Sequence, residues 1–262
     1  MSAPRLEGRT AVVIGSSRGI GRSIAEAYAA EGATVVCVAR DVDALGEVVA
    51  SIEQDGGVAV AQRCDVTSDS DVAALRQFVR DAYGAATVLV NSAGMHKAGR
   101  FLDYEMDDFR QLMELNFFAT VRTIRTFLPD MIEAGYGKIV NVASTAGKYG
   151  SLFQSPYNSS KHAVVGLTRC LALETAKQGV TVNAICPGFV ETDMMDRASA
   201  ELQRVFGVDD PEKVREIVLA RVPQGRFLHP EEIAHLAVYL GSAESDGMTG
   251  QALTISGGLI LV

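Results

Sequence analysis

The sequence has no apolar run of the roughly 20 residues that a membrane-spanning helix needs. Its first ten residues, MSAPRLEGRT, also lack the apolar core of a secretory signal peptide. We therefore expect no transmembrane segment and a cytoplasmic location. Basic residues are in deficit, since 24 Lys and Arg against 32 Asp and Glu give a net charge of −8. Because nucleic-acid phosphates need a concentrated basic face, this balance argues against general nucleic-acid binding.

Cysteine and histidine are both scarce. The four cysteines, Cys37, Cys64, Cys170 and Cys186, are scattered and form no C-x-x-C pair. We expect thiols packed as small apolar side chains rather than disulfides. The four histidines show no metal-ligand spacing, so no metal site is predicted. The chain also lacks a Pro/Gly/Ser-rich linker and any low-complexity tract.

The residues that are present indicate an α/β fold. Hydrophobic residues make up 48% of 262 positions, which suits one domain over residues 1–262 with a large core. Short β-branched apolar runs alternate with longer segments of helical periodicity, which predicts a parallel, doubly wound Rossmann-type sheet covered by helices on both faces. The apolar runs are Thr10–Ile14, Thr34–Ala39, Val58–Cys64, Thr87–Asn91, Lys138–Ala143, Val180–Ile185 and Ala252–Ile255.

One stretch breaks this alternation. Residues 191–226, here called the lid segment, are more polar and helical, and they lie between the sixth apolar run and a helix that opens at Pro230. An insertion there is placed to fold over the carboxyl ends of the strands, which predicts a helical substrate lid. The alternative is a peripheral pair of helices.

Tyr157 and Lys161 carry the strongest chemical pattern. On a helix, positions four apart share a face, so the ammonium of Lys161 is predicted to lie beside the phenol of Tyr157. A neighbouring positive charge stabilises the phenolate and is expected to lower the phenol pKa from its usual value of about 10. Ser144 precedes the tyrosine at the end of an apolar run. Tyr-x-x-x-Lys alone is often only an ordinary helix face.

A glycine-rich motif, GSSRGIG at residues 15–21, follows the first apolar run. Gly15 permits a tight turn, and Gly19 and Gly21 leave out side chains where backbone and a dinucleotide pyrophosphate approach closely. The helix that begins near Ile20 offers unpaired N–H groups and a positive dipole end to the phosphates. This strand–glycines–helix context predicts a dinucleotide site.

Together, these motifs resemble the short-chain dehydrogenase/reductase family, in the branch whose glycine motif reads T-G-x-x-x-G-x-G. The resemblance spans nearly the whole chain and implies the family's seven-stranded sheet. Three positions depart from the family pattern: Ile14 replaces a threonine, Ser92 replaces the second asparagine of N-N-A-G, and Ser256 replaces the acid of the C-terminal D-G-G. The C-terminal segment is expected to support subunit packing, so the resemblance implies a homotetramer.

The resemblance also implies which residues contact the cofactor. Asp65 matches a contact to the adenine amino group, and the segment around Val190 and Thr192 matches one that meets the nicotinamide carboxamide. The complete predicted set is Gly15, Ser17, Arg18, Gly19, Ile20, Gly21, Arg40, Asp65, Val66, Asn91, Ala93, Gly94, Tyr157, Lys161, Pro187, Gly188, Val190 and Thr192.

The end of the second apolar run predicts the choice of cofactor. Relatives that bind NAD place an acid there for the ribose 2′-OH, whereas this chain has the small Ala39 followed by Arg40. A guanidinium pairs with a 2′-phosphate, and Arg18 in the glycine loop is a second candidate. Asp41 follows directly but lies beyond the usual position. The pattern favours NADP(H) over NAD(H); the alternative is that both arginines are solvated surface groups.

The resemblance implies a catalytic set of Asn116, Ser144, Tyr157 and Lys161. In this set Tyr157 donates a proton to the carbonyl oxygen as hydride arrives and acts as base in the reverse reaction. Lys161 lowers the Tyr157 pKa and hydrogen-bonds the nicotinamide ribose, while Ser144 holds and polarises the substrate oxygen. Asn116 anchors a water that connects Lys161 to solvent. Ser144 as a helix cap and Asn116 as a backbone partner are the structural alternatives.

Four segments resemble bacterial β-ketoacyl and polyketide ketoreductases: Ala143–Gly150, Lys161–Thr168, Ile185–Thr192 and Ala220–Arg226. This resemblance implies an NADPH-dependent reductase of a keto group on such a substrate. The alternatives are a dehydrogenase of a small or cyclic secondary alcohol and an inactive cofactor-binding regulatory protein. An acyl carrier protein is acidic, so a carrier-borne substrate would need a basic patch. Arg122, Arg125 and Lys148 are candidates for that patch, or else ordinary solvated charges.

Overall fold

The computed structural model describes residues 4–208 and 210–262. Within these ranges, seven parallel strands form one sheet in the order β3-β2-β1-β4-β5-β6-β7, which confirms the predicted sheet. The strands are β1 (Thr10–Ile14), β2 (Thr34–Ala39), β3 (Val58–Arg63), β4 (Val88–Asn91), β5 (Gly137–Val142), β6 (Val180–Pro187) and β7 (Ala252–Ile255). The apolar runs therefore predicted each strand to within a few residues.

Helices connect the strands and cover both faces of the sheet. They are α1 (Gly19–Ala30), α2 (Val42–Gln54), α3 (Asp69–Tyr83), α4 (Met106–Met113), α5 (Ala119–Glu133), α6 (Ser155–Thr175), α7 (Asp193–Phe206), α8 (Pro211–Leu219) and α9 (Pro230–Gly241). No helix of the described residues combines the length and apolar character needed to cross a bilayer.

Alternate residues of each central strand enter opposite cores. In β1, Ala11 and Val13 pack with α1, α2 and α9 on one face, whereas Val12 and Ile14 pack with α3 and α5 on the other. All four side chains are buried. A parallel strand that is buried on both sides must be apolar at every position, which is why its sequence shows no alternation of polar and apolar residues.

The strand order reverses between β1 and β4. The chain runs outward from β1 to β2 and β3, then returns to place β4 on the other side of β1. In open α/β sheets this reversal leaves a crevice at the carboxyl ends of the strands, where ligands bind. The glycine motif follows β1 and residues 92–94 follow β4, so both flank the crevice.

The lid segment contains α7 and α8, which pack on each other around a small apolar core of their own. Leu202, Val214, Val218 and Phe227 are buried there. Phe189, in the loop after β6, packs against this cluster. The segment is thus built as a unit that is joined to the sheet edge through the β6 loop.

Candidate active site

A cleft of about 750 Å³ lies along the carboxyl edge of the sheet, within the range of known cofactor and substrate pockets. It is lined by the glycine loop, the ends of β2, β4, β5 and β6, the start of α6 and residues of the lid segment. All the predicted cofactor residues line this cleft except Asn91, and of the catalytic set Ser144, Tyr157 and Lys161 do so.

The glycine loop leaves no room for side chains at two positions. Gly15 has φ +80°, and a Cβ built on it would lie 2.6 Å from the backbone nitrogen of Ala93. A Cβ on Gly21 would lie 2.1 Å from the carbonyl oxygen of Gly15. Ser16 is fully buried, and its hydroxyl accepts a hydrogen bond from the Val38 backbone N–H at 2.8 Å. This bond fixes the loop to β2 in a chain that has Ile14 where the family has threonine.

The backbone N–H groups at the N-terminus of α1 donate no hydrogen bond to a capping side chain. No side chain caps it, and its first turn holds no acidic residue. By contrast, Asp41 caps α2, Ser68 caps α3 and Thr192 caps α7. The free N–H groups and positive dipole end of α1 face the cleft, which fits the pyrophosphate of a dinucleotide.

Charged groups at the adenosine end of the cleft match the predicted NADP(H) preference. The Arg40 guanidinium is 72% exposed and lies 4.0 Å from the Asp65 carboxylate. Asp65 accepts hydrogen bonds from the backbone and hydroxyl of Thr67, which lower its pKa and keep it ionised. Asp41, the acid next to Arg40, accepts from Ala44 N at 3.1 Å. That carboxylate is therefore already used as a helix cap.

The structure places Asn91 differently from the expectation. Its side chain is buried, donates to Asn141 and accepts from the Thr123 hydroxyl at 2.7 Å. These bonds hold the amide between β4, β5 and α5, beneath the cleft. Ser92, which replaces the second asparagine of the family's N-N-A-G motif, lines the cleft instead of Asn91. Asn91 is the last residue of β4 and Ser92 is the first after it, so the two positions are adjacent in the chain and differ in where their side chains lie.

The loop after β6 forms the opposite end of the cofactor channel. A Cβ on Gly188 would lie 2.9 Å from the Cα of Ser256, so this loop rests directly on the segment after β7. The Thr192 methyl lies 3.3 Å from the position of a Cβ on Gly19. Thr192 also caps α7, accepting from Met195 N. One residue therefore joins the glycine loop, the β6 loop and the first lid helix.

Ser144, Tyr157 and Lys161 meet between β5 and α6. The Lys161 ammonium is buried, donates to the Val142 carbonyl at 3.0 Å and lies 5.9 Å from the centre of the Tyr157 ring. The Ser144 hydroxyl hydrogen-bonds with the phenol of Tyr157 and also accepts from Ala146 N at 3.1 Å. Ser144 is thus both a cap of the turn after β5 and a group in the site.

The pKa of Tyr157 departs from the expected direction. Burial raises the Tyr157 pKa above 10.0, and the hydrogen bond with Ser144 lowers it only in part. Burial also lowers the pKa of Lys161 from 10.5 to about 8, which leaves the amine largely protonated at neutral pH. Desolvation of the phenolate outweighs the hydrogen bond with Ser144. The phenol is therefore protonated at neutral pH, as a proton donor must be.

Asn116 lies in a π-helical turn, Glu114–Phe118, that joins α4 to α5. Its side-chain oxygen accepts from Met95 N at 2.8 Å, and its amide donates to the Met95 carbonyl and to the Ser160 hydroxyl. Ser160 in turn donates to the Tyr157 carbonyl at 2.7 Å. Asn116 therefore ties the loop after β4 to the helix that carries Tyr157 and Lys161. Its water-anchoring role stays a prediction.

Two of the three candidates for a basic patch facing a carrier protein have partners within the chain, and the patch itself stays a prediction. Arg122 forms ion pairs with Asp69 and Glu114, so its charge is neutralised locally. The Lys148 ammonium donates to a carbonyl and a hydroxyl of β7 at 2.8 and 2.9 Å, which ties the loop after β5 to β7. Only Arg125 of the three is exposed as expected.

Sequence reasoning missed several residues that the structure brings to the site. Ser16 and Ser160 support the glycine loop and Asn116, and their hydroxyls carry no motif of their own. Glu201, on α7, contacts His96 and the backbone of Ala98. These positions are more than one hundred residues apart in the chain, so spacing offers no sign of the contact.

Comparisons with known proteins agree with this geometry. The model of the short chain dehydrogenase family matches residues 9–203. A D-beta-hydroxybutyrate dehydrogenase of Rhizobium meliloti (strain 1021) is 33% identical over 95% of this chain and 98% of its own length. A 3-oxoacyl-[acyl-carrier-protein] reductase of Thermotoga maritima is 34% identical over 98% of this chain and all of its own.

A solved structure gives the same result. A point variant of actinorhodin polyketide ketoreductase, crystallised with NADPH, superposes with a TM-score of 0.92 at 37% identity, and the match covers 96% of this chain and 97% of that one. The relatives and the superposition therefore agree over nearly the whole length, and the family model matches residues 9–203. The chain belongs to the short-chain dehydrogenase family and is an oxidoreductase acting on hydroxyl or keto groups.

Proposed function

We propose that this chain is an NADP(H)-dependent carbonyl reductase that converts the keto group of a β-ketoacyl or polyketide-like substrate into a secondary alcohol. The observation that carries the proposal is the convergence of Ser144, Tyr157 and Lys161 with the glycine loop in one cleft. The proposal therefore rests on the positions of specific side chains in the site and not on the fold alone.

The residues of the cleft fit a nicotinamide dinucleotide phosphate. The uncapped N-terminus of α1 suits the pyrophosphate, and Arg18 and Arg40 are exposed at the cleft for a 2′-phosphate. No acid stands at the end of β2, and Asp41 is used as a helix cap. The NADPH bound to the ketoreductase relative supports the same choice.

The catalytic residues divide the reaction between them. When bound, the nicotinamide supplies a hydride to the carbonyl carbon. The Ser144 hydroxyl holds the carbonyl oxygen, where negative charge develops. Tyr157, protonated at neutral pH, donates its phenolic proton to that oxygen, and the charged Lys161 stabilises the phenolate that remains.

The apolar lining of the substrate half of the cleft suits an acyl chain. Met194, Met195 and Leu202 of α7 and Phe189 of the β6 loop give it apolar walls. The names of two relatives, a polyketide ketoreductase and a 3-oxoacyl-[acyl-carrier-protein] reductase, refer to such substrates. An acyl carrier protein stays a proposed partner, and the homotetramer stays a prediction. The hydroxybutyrate dehydrogenase relative supports a second candidate, oxidation of a small secondary alcohol.

A steady-state panel tests the proposal. The purified chain is assayed with NADPH and NADH against acetoacetyl-coenzyme A, a bicyclic ketone and a simple cyclic ketone, and with NADP⁺ against 3-hydroxybutyrate. We expect NADPH-dependent reduction of the thioester or bicyclic ketone to have the highest kcat/KM. Activity restricted to 3-hydroxybutyrate oxidation would establish the second candidate. No turnover of any pair would reject the reductase assignment.

Arg40→Ala is expected to raise the KM for NADPH by about 10- to 100-fold while changing the KM for NADH less than threefold. The loss corresponds to hydrogen bonds between a guanidinium and a phosphate, about 1.5–3 kcal/mol. Arg63→Ala is the matched control, because Arg63 ends β3, is exposed and pairs with Asp71 outside the cleft. Equal losses for both cofactors would show that Arg40 does not read the 2′-phosphate.

A further inference from the structure

His96 lies between the catalytic tyrosine and the lid segment. Its ring packs edge-on against the ring of Tyr157, with centroids 4.8 Å apart and planes at 65°. Only 9% of its side chain is exposed. His96 follows Gly94 by two residues and lines the cleft. The imidazole is thus part of the wall that seats the phenol.

Glu201 of α7 holds this histidine from the lid side. One carboxylate oxygen lies 3.2 Å from His96 Nδ1 and also accepts the backbone N–H of Ala98 at 2.8 Å. The carboxylate is largely buried, with 21% of the side chain exposed. A buried carboxylate that receives two hydrogen bonds is held in place more firmly than an exposed ion pair. Glu201 therefore fixes both the ring of His96 and the backbone beyond it.

A second contact joins the end of the same lid helix to the loop before α6. Phe206 packs edge-on against Phe153, with ring centroids 5.7 Å apart. Phe153 has a φ of +63°, a left-handed conformation that costs energy for a side chain with a Cβ. Its carbonyl accepts from Gly99 N and from the Tyr104 hydroxyl, which stabilise this conformation.

The two contacts connect α7 to both loops that flank Tyr157. The loop after β4 is held through Glu201, and the loop before α6 is held through Phe206. A lid that bound substrate without touching the catalytic residues would need neither contact. The arrangement instead links the seating of α7 to the orientation of the phenol.

We infer that His96 is a positioning residue for Tyr157 and that Glu201 holds it there, so that docking of α7 sets the orientation of the proton donor. The inference rests on the proton-donor role proposed for Tyr157 and adds the residues that orient it. His96 acts through the tyrosine, and its contribution lies in the alignment of the phenolic oxygen with the substrate oxygen. Small misalignments of a catalytic group carry large rate costs.

Four variants test this inference: His96→Ala, His96→Phe, Glu201→Ala and the double variant His96→Ala with Glu201→Ala. We expect His96→Ala to lower kcat about tenfold. His96→Phe keeps the ring contact with Tyr157 but loses the contact with Glu201, so its kcat is expected to match that of Glu201→Ala and to exceed that of His96→Ala. Glu201→Ala is expected to lower kcat about fivefold alone, but less than twofold when His96 is already alanine, because both changes remove the same support.

The controls distinguish a misoriented Tyr157 from a general loss of the fold. Glu216→Ala changes an exposed carboxylate on α8, the other lid helix, and should leave kcat and KM unchanged. The dissociation constant for NADPH, measured by fluorescence titration, should stay within twofold in every variant, since a loss of fold would weaken it. If His96→Ala does not fold, Glu201→Ala and His96→Phe still decide the question through their kcat values.

Three results would overturn the inference: a kcat within twofold of the parent for His96→Ala, no rescue by phenylalanine, or fully additive losses in the double variant. Tyr157→Phe is assayed in parallel on the same ketone. Retained turnover in Tyr157→Phe would remove the proposed function itself. Lost turnover in Tyr157→Phe together with an unaffected His96→Ala would remove only the positioning role.

Discussion

Tyr157→Phe is expected to reduce kcat by about 10²- to 10⁴-fold, while the dissociation constant for NADPH stays within about threefold of the parent. The substitution removes one oxygen and keeps the ring, so the edge-on contact with His96 remains. Without the phenol, the carbonyl oxygen held by Ser144 loses the proton donor proposed for this site. Steady-state kinetics on the best ketone of the panel and a fluorescence titration of NADPH measure the two effects separately.

Tyr149→Phe is the matched control for this experiment. Tyr149 also lines the cleft, and its hydroxyl accepts only a long hydrogen bond of 3.4 Å from Arg221 of the lid segment. Loss of this hydroxyl should change kcat less than threefold. Comparable activity in Tyr157→Phe and the parent would mean that another group supplies the proton, and the mechanism proposed for this site would be rejected.

Local patterns were sufficient for most of the fold and for the cofactor loop. A strand buried on both faces must be apolar throughout, and a tight phosphate-binding turn must contain glycine, so Thr10–Ile14 and residues 15–21 were identified directly. Tyr157 and Lys161 share a helix face because of helix geometry alone. Such features depend on neighbours within a few residues, which the sequence displays.

Features that depend on three-dimensional surroundings were not predicted. The side chain of Asn116 bonds to Met95 and Ser160, and Glu201 contacts His96; spacing in the sequence relates neither set of residues. The rise in the Tyr157 pKa was not predicted, because it depends on the balance of burial against the hydrogen bond with Ser144. That balance requires the distance and the degree of desolvation, and neither is written in an i,i+4 pattern.

Gly21→Ala is expected to lower the melting temperature by about 3–10 °C and to weaken NADPH binding at least tenfold. The new Cβ would lie 2.1 Å from the Gly15 carbonyl oxygen and 2.8 Å from its carbon, and both are backbone atoms that cannot rotate away. Overpacking of this kind costs about 1–3 kcal/mol, and each kcal/mol shifts the melting temperature of a chain of this size by about 2–4 °C. The strain also displaces the N–H groups that meet the pyrophosphate.

Gly46→Ala gives the opposite expected result and serves as the matched control. Gly46 is exposed within α2, and a Cβ there meets nothing within 4 Å. Alanine at an open helical position is favoured over glycine by about 0.5–1 kcal/mol, so this variant should melt slightly higher than the parent and bind NADPH equally well. Scanning calorimetry and NADPH titration of the two variants isolate the crowding at the glycine loop. Equal behaviour of Gly21→Ala and Gly46→Ala would show that close backbone contact at Gly21 does not limit cofactor binding.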